Sequence, residues 1–271
     1  MDVPYGLKQI NYLQMKLNLK KFGTGQPLII LHGLFGSLDN WQTFGKQFAE
    51  NFTVFLVDQR NHGQSPHSKE WNYEVMVDDL MELMMDENIE NPIVIGHSMG
   101  GKTAMLFAVR NPGILRKLIV VDMAPKYYKP HHQQIIQALS AVDFEKVNSR
   151  KEVEDILSKY IKDLGSMQFL LKNLYWKDLE NKILSWRFNL EVISKNIEAV
   201  GMGIPEDKPS EHLPALFIRG GKSDYIQDND KESIKKIFPL AEIKTIENAG
   251  HWVHAEAPAE FYNMVIQFIA Y

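Results

Sequence analysis

A chain of 271 residues, 45% hydrophobic and 24% charged, can bury a sizeable core without cross-links, as one large domain or one domain carrying an insertion. Its net charge of -4 argues against a nucleic-acid surface. It has no cysteine, which excludes disulfides and thiolate metal sites.

The opening stretch, MDVPYGLKQINYLQ, carries no apolar segment of the kind a signal peptide needs. No apolar run reaches the length of a membrane-spanning helix. A soluble, cytoplasmic protein without membrane insertion is therefore the expectation. A strand or hairpin arm at a sheet edge is expected over residues 15–22. Near-continuous apolar runs at 28–31, 53–57, 93–95 and 118–121, bounded by Gly, Pro, Asp or Asn, read as buried parallel strands. Helical patterns fall between them at about 40–50, 73–88 and 99–110. This alternation predicts an α/β fold: a mostly parallel sheet with helices on both faces.

The rhythm breaks after Pro125. From 126 to 205 the pattern is helical and rich in aromatics, with no good strand. A Gly/Pro-rich link, GMGIPEDKPSEHLP, closes it. Strands then resume at 215–218 and 242–246, with helices at about 228–238 and 256–270. Residues 1–125 and 206–271 are expected to form one core domain, and 126–205 a helical cap inserted between two core strands.

Within PIVIGHSMGGKTAM, Ser98 sits between Gly96 and Gly100, where a buried strand turns into a helix. A serine hydroxyl is a weak nucleophile that needs a nearby base and donors for the oxyanion. A sharp strand-to-helix turn presents such a serine, and only glycines leave it room; this is the physical content of G-x-S-x-G. The alternative, a tight turn without chemistry, is disfavoured by the strand before it and the helix after it. The N–H of Met99, at the start of the helix, is the first oxyanion donor. The second is expected in HGLFGS, residues 32–37, from Leu34, with Phe35 as the fallback. His32 is expected to brace that loop.

The base must be a histidine. His251, in the loop NAGHWVHAE between the last strand and the last helix, has the required setting and chain order. His254 falls at the start of a helix. His97 is expected to point to the opposite side of the turn, and His131 and His132 to lie on the surface beside the cap. No histidine or carboxylate group shows convincing metal spacing. The acid that orients His251 has two candidates, Asp122 at the end of LIVVD and Asp224 in IRGGKSDYI. Both lie at strand C-terminal ends and precede His251, so position does not choose between them.

HGLFGSLDNW, VDQRNHGQSP, IGHSMGGKTAM, VVDMAP, WRFNL and NAGHWVHAE together resemble the α/β-hydrolase superfamily, most closely its YbfF-type esterases. The resemblance runs over nearly the whole chain. It implies an eight-stranded, mostly parallel sheet with a helical cap over Ser98. It implies hydrolysis of carboxylic esters; with a Ser-His-Asp catalytic triad the reaction runs through an acyl-enzyme and needs no cofactor, and a cap placed over Ser98 is expected to favour short to medium acyl chains. Acyl-CoA thioesters are a second substrate class it leaves open. It also favours Asp122 over Asp224 as the acid and gives Asp58 and Arg60 a bracing role. Small-molecule esters or thioesters are the expected partners; oligomeric state is not legible. Carbon–carbon bond hydrolases, lyases and cofactor-free synthases use the same triad, and fold does not fix function. A non-catalytic binding protein with this pocket is the alternative from another class, and a dimerisation surface is another use for the aromatic segment. Phe35, Tyr127, Trp186 and Trp252 are the candidate substrate contacts.

Overall fold

The computed structural model describes residues 15–270. In chain order the first half forms β1 (Leu19–Phe22), β2 (Gln26–Leu31), α1 (Gln42–Phe48), β3 (Phe52–Val57), α2 (Tyr73–Asp86), β4 (Ile93–His97), α3 (Met99–Arg110) and β5 (Lys117–Val121). The chain then leaves the sheet for α4 (Gln133–Ser140), α5 (Arg150–Leu157), α6 (Leu164–Leu171), β6 (Leu174–Asp178), β7 (Ile183–Trp186), α7 (Leu190–Lys195) and α8 (Ile197–Val200). It returns through β8 (Ala215–Gly220), α9 (Asp230–Ile237), β9 (Ala241–Ile246), α10 (Val253–Glu256) and α11 (Pro258–Ile269).

Seven strands make one sheet in the order β1-β3-β2-β4-β5-β8-β9. Only β1 runs antiparallel, paired to β3 at the edge. No eighth strand joins this sheet among the described residues. The apolar runs are continuous because both faces are covered. Side chains alternate with period two: Leu28, Ile30, Ile93 and Ile95 face one cluster, whereas Ile29, Leu31 and Val94 face the other. The first cluster is closed by α1 and α11. On α11, Phe261, Val265, Phe268 and Ile269 are buried, the i, i+4, i+7, i+8 stripe of an amphipathic helix. The last helical stretch is split at Pro258, whose missing N–H cannot continue α10 and which instead opens α11.

The inserted segment contains a strand pair that its sequence did not announce. β6 and β7 pair antiparallel in a region read as purely helical. Their residues are mostly half-buried or exposed, so no continuous apolar run marks them. Tyr175, Trp176 and Ile183 suit a pleated surface. Asp178 closes the connecting turn by accepting the backbone N–H of Asn181 at 3.0 Å.

The two ends of the insertion lie together. Tyr128 donates its N–H to the Gly201 carbonyl at 2.8 Å, and Ile204 donates to Pro125 at 2.8 Å. Lys102, fully buried on α3, reaches both ends. Its Nζ donates to the carbonyls of Lys126 at 2.5 Å and Met202 at 2.8 Å. Burial, with the nearby Lys126 charge, pushes its pKa down to about 7. The insertion is thus fastened to the helix that begins beside Ser98.

Candidate active site

The loops leaving β2, β4, β5, β8 and β9 gather at the C-terminal edge of the sheet, where open α/β sheets build their sites. Ser98 stands between β4 and α3 with φ 52° and ψ -114°, a strained conformation for a residue with a side chain. Its N–H donates to Val121 at 3.1 Å and its carbonyl accepts from Lys102 at 3.0 Å, which hold it there. The flanking glycines are steric requirements. A Cβ on Gly96 would lie 2.3 Å from the Gly100 carbonyl oxygen, and one on Gly100 would lie 2.5 Å from that of Leu31. The Met99 N–H is one of the first four of α3, which have no intrahelical acceptor.

The loop after β2 turns tightly. Gly36 donates to the Gly33 carbonyl at 2.9 Å, and Phe35 takes φ 56°. Asn173, from the insertion, donates its side-chain amide to the Phe35 carbonyl at 2.7 Å. His32 spans the loop's base. Its Nδ1 lies 2.8 Å from the Gly33 carbonyl, and its Nε2 accepts the Gln59 N–H at 3.0 Å. This pairing requires the neutral ring with its proton on Nδ1, in keeping with burial pushing the pKa down to about 4. Asp58 accepts the N–H groups of Leu38 and Gln64, and Arg60 pairs with buried Asp79 at 2.5 Å. Both residues knit the neighbouring loop.

Asp122 leaves β5 with φ 49° and is fully buried. Its Oδ2 lies 2.8 Å from Nδ1 of His251. Its Oδ1 accepts the Gly220 N–H at 3.0 Å, and the Ser223 hydroxyl also donates to Oδ2. The carboxylate is therefore satisfied in the dry interior, as a buried charge must be. Asp224, the competing acid, is exposed; its neighbour Ser223 makes the inward turn instead. Glu256 steadies the His251 loop by accepting from Gly250 at 2.8 Å and Trp252 at 3.2 Å. Tyr225 stacks on the His251 ring at 3.9 Å between centroids, 18° apart. Ser223, Tyr225 and Glu256 lie within the quoted stretches IRGGKSDYI and NAGHWVHAE but are not singled out by residue type; Ser223 stands beside the more conspicuous carboxylate of Asp224.

His97 does not point away from this group. Its Nε2 donates to the His251 carbonyl at 2.9 Å, and its ring lies 4.8 Å from the His251 ring. A Cβ on Gly33 would come within 2.8 Å of its Nδ1, so His97 occupies the space that this glycine leaves. Burial holds its pKa well below the usual histidine range. His254 stacks on Trp41 at 4.1 Å in the core beneath.

Ser98 and His251 share a cavity of about 180 Å³, walled by Leu34, Phe35, Phe169, Leu170 and Trp252. His131 and His132 also line it; His131 is exposed, as expected, and His132 is half-buried. His131 Nε2 meets the Tyr225 hydroxyl at 2.7 Å. Two expected substrate contacts lie elsewhere. Tyr127 is 62% exposed, while the adjacent Tyr128 turns inward and donates its hydroxyl to the Tyr225 carbonyl. Trp186 is buried in the insertion's own core, stacked on Phe188 at 5.5 Å, with Nε1 donating to Leu139 at 3.4 Å. Among the described residues no group of three or more His, Asp or Glu side chains is arranged for a metal ion, and no helix is long and apolar enough to cross a membrane.

Residues 26–144 match the family model of the alpha/beta hydrolase fold. The chain is 39% identical over 267 residues to the sn-1-specific diacylglycerol lipase ABHD11 of Mus musculus, covering 95% of this chain and 86% of that one. It is 36% identical to the esterase YbfF of Escherichia coli K12, covering 90% and 95%. Among solved structures, a marine microorganism esterase superposes with a TM-score of 0.90 at 45% identity, covering 94% of this chain and 99% of that one.

Proposed function

Given that the chain belongs to the α/β-hydrolase superfamily and is similar to the esterase YbfF, we propose that it is a serine esterase whose nucleophile is Ser98, whose base is His251 and whose acid is Asp122. The observation that carries this assignment is the 2.8 Å hydrogen bond from His251 to buried Asp122, with His251 and Ser98 opening into one cavity. Ser98 Oγ attacks the acyl carbon while His251 Nε2 takes its proton. Asp122 stays ionised, holds the proton on Nδ1 and stabilises the imidazolium. The N–H groups of Met99 and Leu34 receive the oxyanion, with Phe35 N–H as the fallback. The imidazolium then protonates the departing alcohol. Water removes the acyl group by the same steps.

Residues 126–205 act as the cap, and Phe35 and Trp252 are substrate contacts in the walled cavity. At about 180 Å³ it is smaller than the roughly 300–1,000 Å³ typical of drug-sized sites. That favours esters of short to medium acyl chain; acyl-CoA thioesters of similar length are the second class. The test is a panel of p-nitrophenyl esters and acyl-CoAs of graded length, run with Ser98→Ala as control. Activity should peak at short to medium chains and vanish in Ser98→Ala. Emulsified triolein hydrolysed faster than a soluble butyrate ester would defeat the chain-length reading. A fluorophosphonate that fails to label the wild type would favour a non-catalytic binding protein.

A further inference from the structure

The hydrogen bond to Asp122 fixes one atom of the His251 ring, Nδ1. With the attachment at Cβ, that bond sets the mean orientation of the ring, but a hydrogen bond is soft in angle, and small tilts change where Nε2 points. A flat contact on the ring's face stiffens its plane, and Tyr225 supplies one: the two rings are nearly parallel, 3.9 Å between centroids and 18° apart, whereas the His97 ring lies 4.8 Å away and is tilted by 42°. We propose that Tyr225 is the positioning residue that sets the plane of the His251 ring and ties it to the seating of the inserted segment. This rests on the esterase reading above.

Tyr225 can do this because it is held on several sides. Its N–H donates to the Ser223 hydroxyl at 3.2 Å, and that hydroxyl donates to Asp122, so ring plane and acid share one loop. Its carbonyl accepts the Tyr128 hydroxyl, which in turn accepts the Ala124 N–H at 2.9 Å. Its own hydroxyl meets Nε2 of His131 at 2.7 Å. Tyr128 and His131 lie at the start of the insertion. The start of the inserted segment is thus hydrogen-bonded to the residue whose ring lies against the base. When Ser98 passes its proton to Nε2, the positive charge forms against the electron-rich face of Tyr225, an attraction that the neutral ring does not feel.

The experiment compares Tyr225→Phe, Tyr225→Leu and Tyr225→Met by kcat and KM on p-nitrophenyl acetate and butyrate. Thermal melting checks folding, and proton NMR follows the Nδ1–H resonance of His251. The aromatic replacement keeps the stack, so Tyr225→Phe should stay within about threefold of wild type. The aliphatic ones should lower kcat about 10- to 100-fold at nearly constant KM, the scale of a misplaced reacting group. Their Nδ1–H resonance should broaden or shift, whereas that of Tyr225→Phe should not. Tyr225→Met covers the case in which Tyr225→Leu does not fold. Hydrolysis abolished by Ser98→Ala but unchanged in a folded aliphatic variant, or altered only in KM, overturns the positioning role alone. Hydrolysis that survives Ser98→Ala overturns the esterase reading, and this proposal with it.

Discussion

Nδ1 of His251 lies 2.8 Å from Oδ2 of Asp122, and the carboxylate is fully buried while Asp224 is exposed. The two aspartates should therefore respond differently to amide replacement. Asp122→Asn loses the acceptor that holds the proton on Nδ1, and kcat on p-nitrophenyl butyrate should fall by about 10⁴. Asp224→Asn should stay within a few-fold of wild type. A collapse in Asp224→Asn with Asp122→Asn tolerated reverses the assignment; loss only in the double variant means the acids share the role.

The oxyanion donors proposed here are backbone groups, so the side chain of Met99 should matter for stability but not for chemistry. Met99 is fully buried, and truncating such a side chain costs about 2–5 kcal/mol. Met99→Ala should unfold earlier in urea yet keep most of its kcat. Gly100→Val should lose activity, because its first side-chain carbon would lie 2.5 Å from the Leu31 carbonyl oxygen. Loss of a true oxyanion donor costs on the order of 10²–10³ in kcat. A drop of that size in folded Met99→Ala contradicts the backbone assignment.

Two aromatics of the inserted segment should separate cleanly. Trp186 fills the core of that segment, so Trp186→Ala should cost about 3–5 kcal/mol. Tyr127 is 62% exposed, so Tyr127→Ala should change stability by less than about 0.5 kcal/mol. Urea midpoints measure both. If Tyr127→Ala instead raised KM severalfold with stability unchanged, Tyr127 would be a substrate contact after all.

What sequence could convey here depended on the range of the physics. The turn at Ser98 is a local steric problem, so Gly96 and Gly100 mark it without any knowledge of neighbours. Strands β2 to β5 declare themselves because each is buried on both faces. The aromatic segment is different. Whether Tyr127 or Tyr128 turns inward depends on the Tyr225 loop, about a hundred positions away in sequence, and no periodicity encodes it. The β6–β7 pair is not legible because half-exposed strands show neither an apolar run nor strict alternation. The direction of His97 is illegible for a related reason: the space it fills is left by Gly33 on another strand's loop. Only the family resemblance favours Asp122 over Asp224, since both occupy equivalent strand ends.

The buried histidines set an acid limit on stability. Burial pushes the pKa of His32 down to about 4, and those of His62 and His254 down to about 3. In the unfolded chain each takes a proton near pH 6.5. Between pH 6.5 and about 4 the unfolded state therefore binds more protons than the folded one, and stability falls as the solution is acidified. Above pH 6.5 these groups are neutral in both states and contribute no slope. Each adds up to about 1.4 kcal/mol per pH unit within the window. His254 offers the cleanest test because its ring stacks on Trp41 at 4.1 Å and its Nδ1 is buried without a partner. His254→Phe keeps an aromatic ring there and removes the titration. Urea unfolding measured from pH 7 to pH 4.5 should give a shallower decline for His254→Phe than for wild type, with the curves converging near pH 7 apart from a constant offset. Parallel curves across that range would mean that His254 takes its proton in the folded protein as readily as in the unfolded chain.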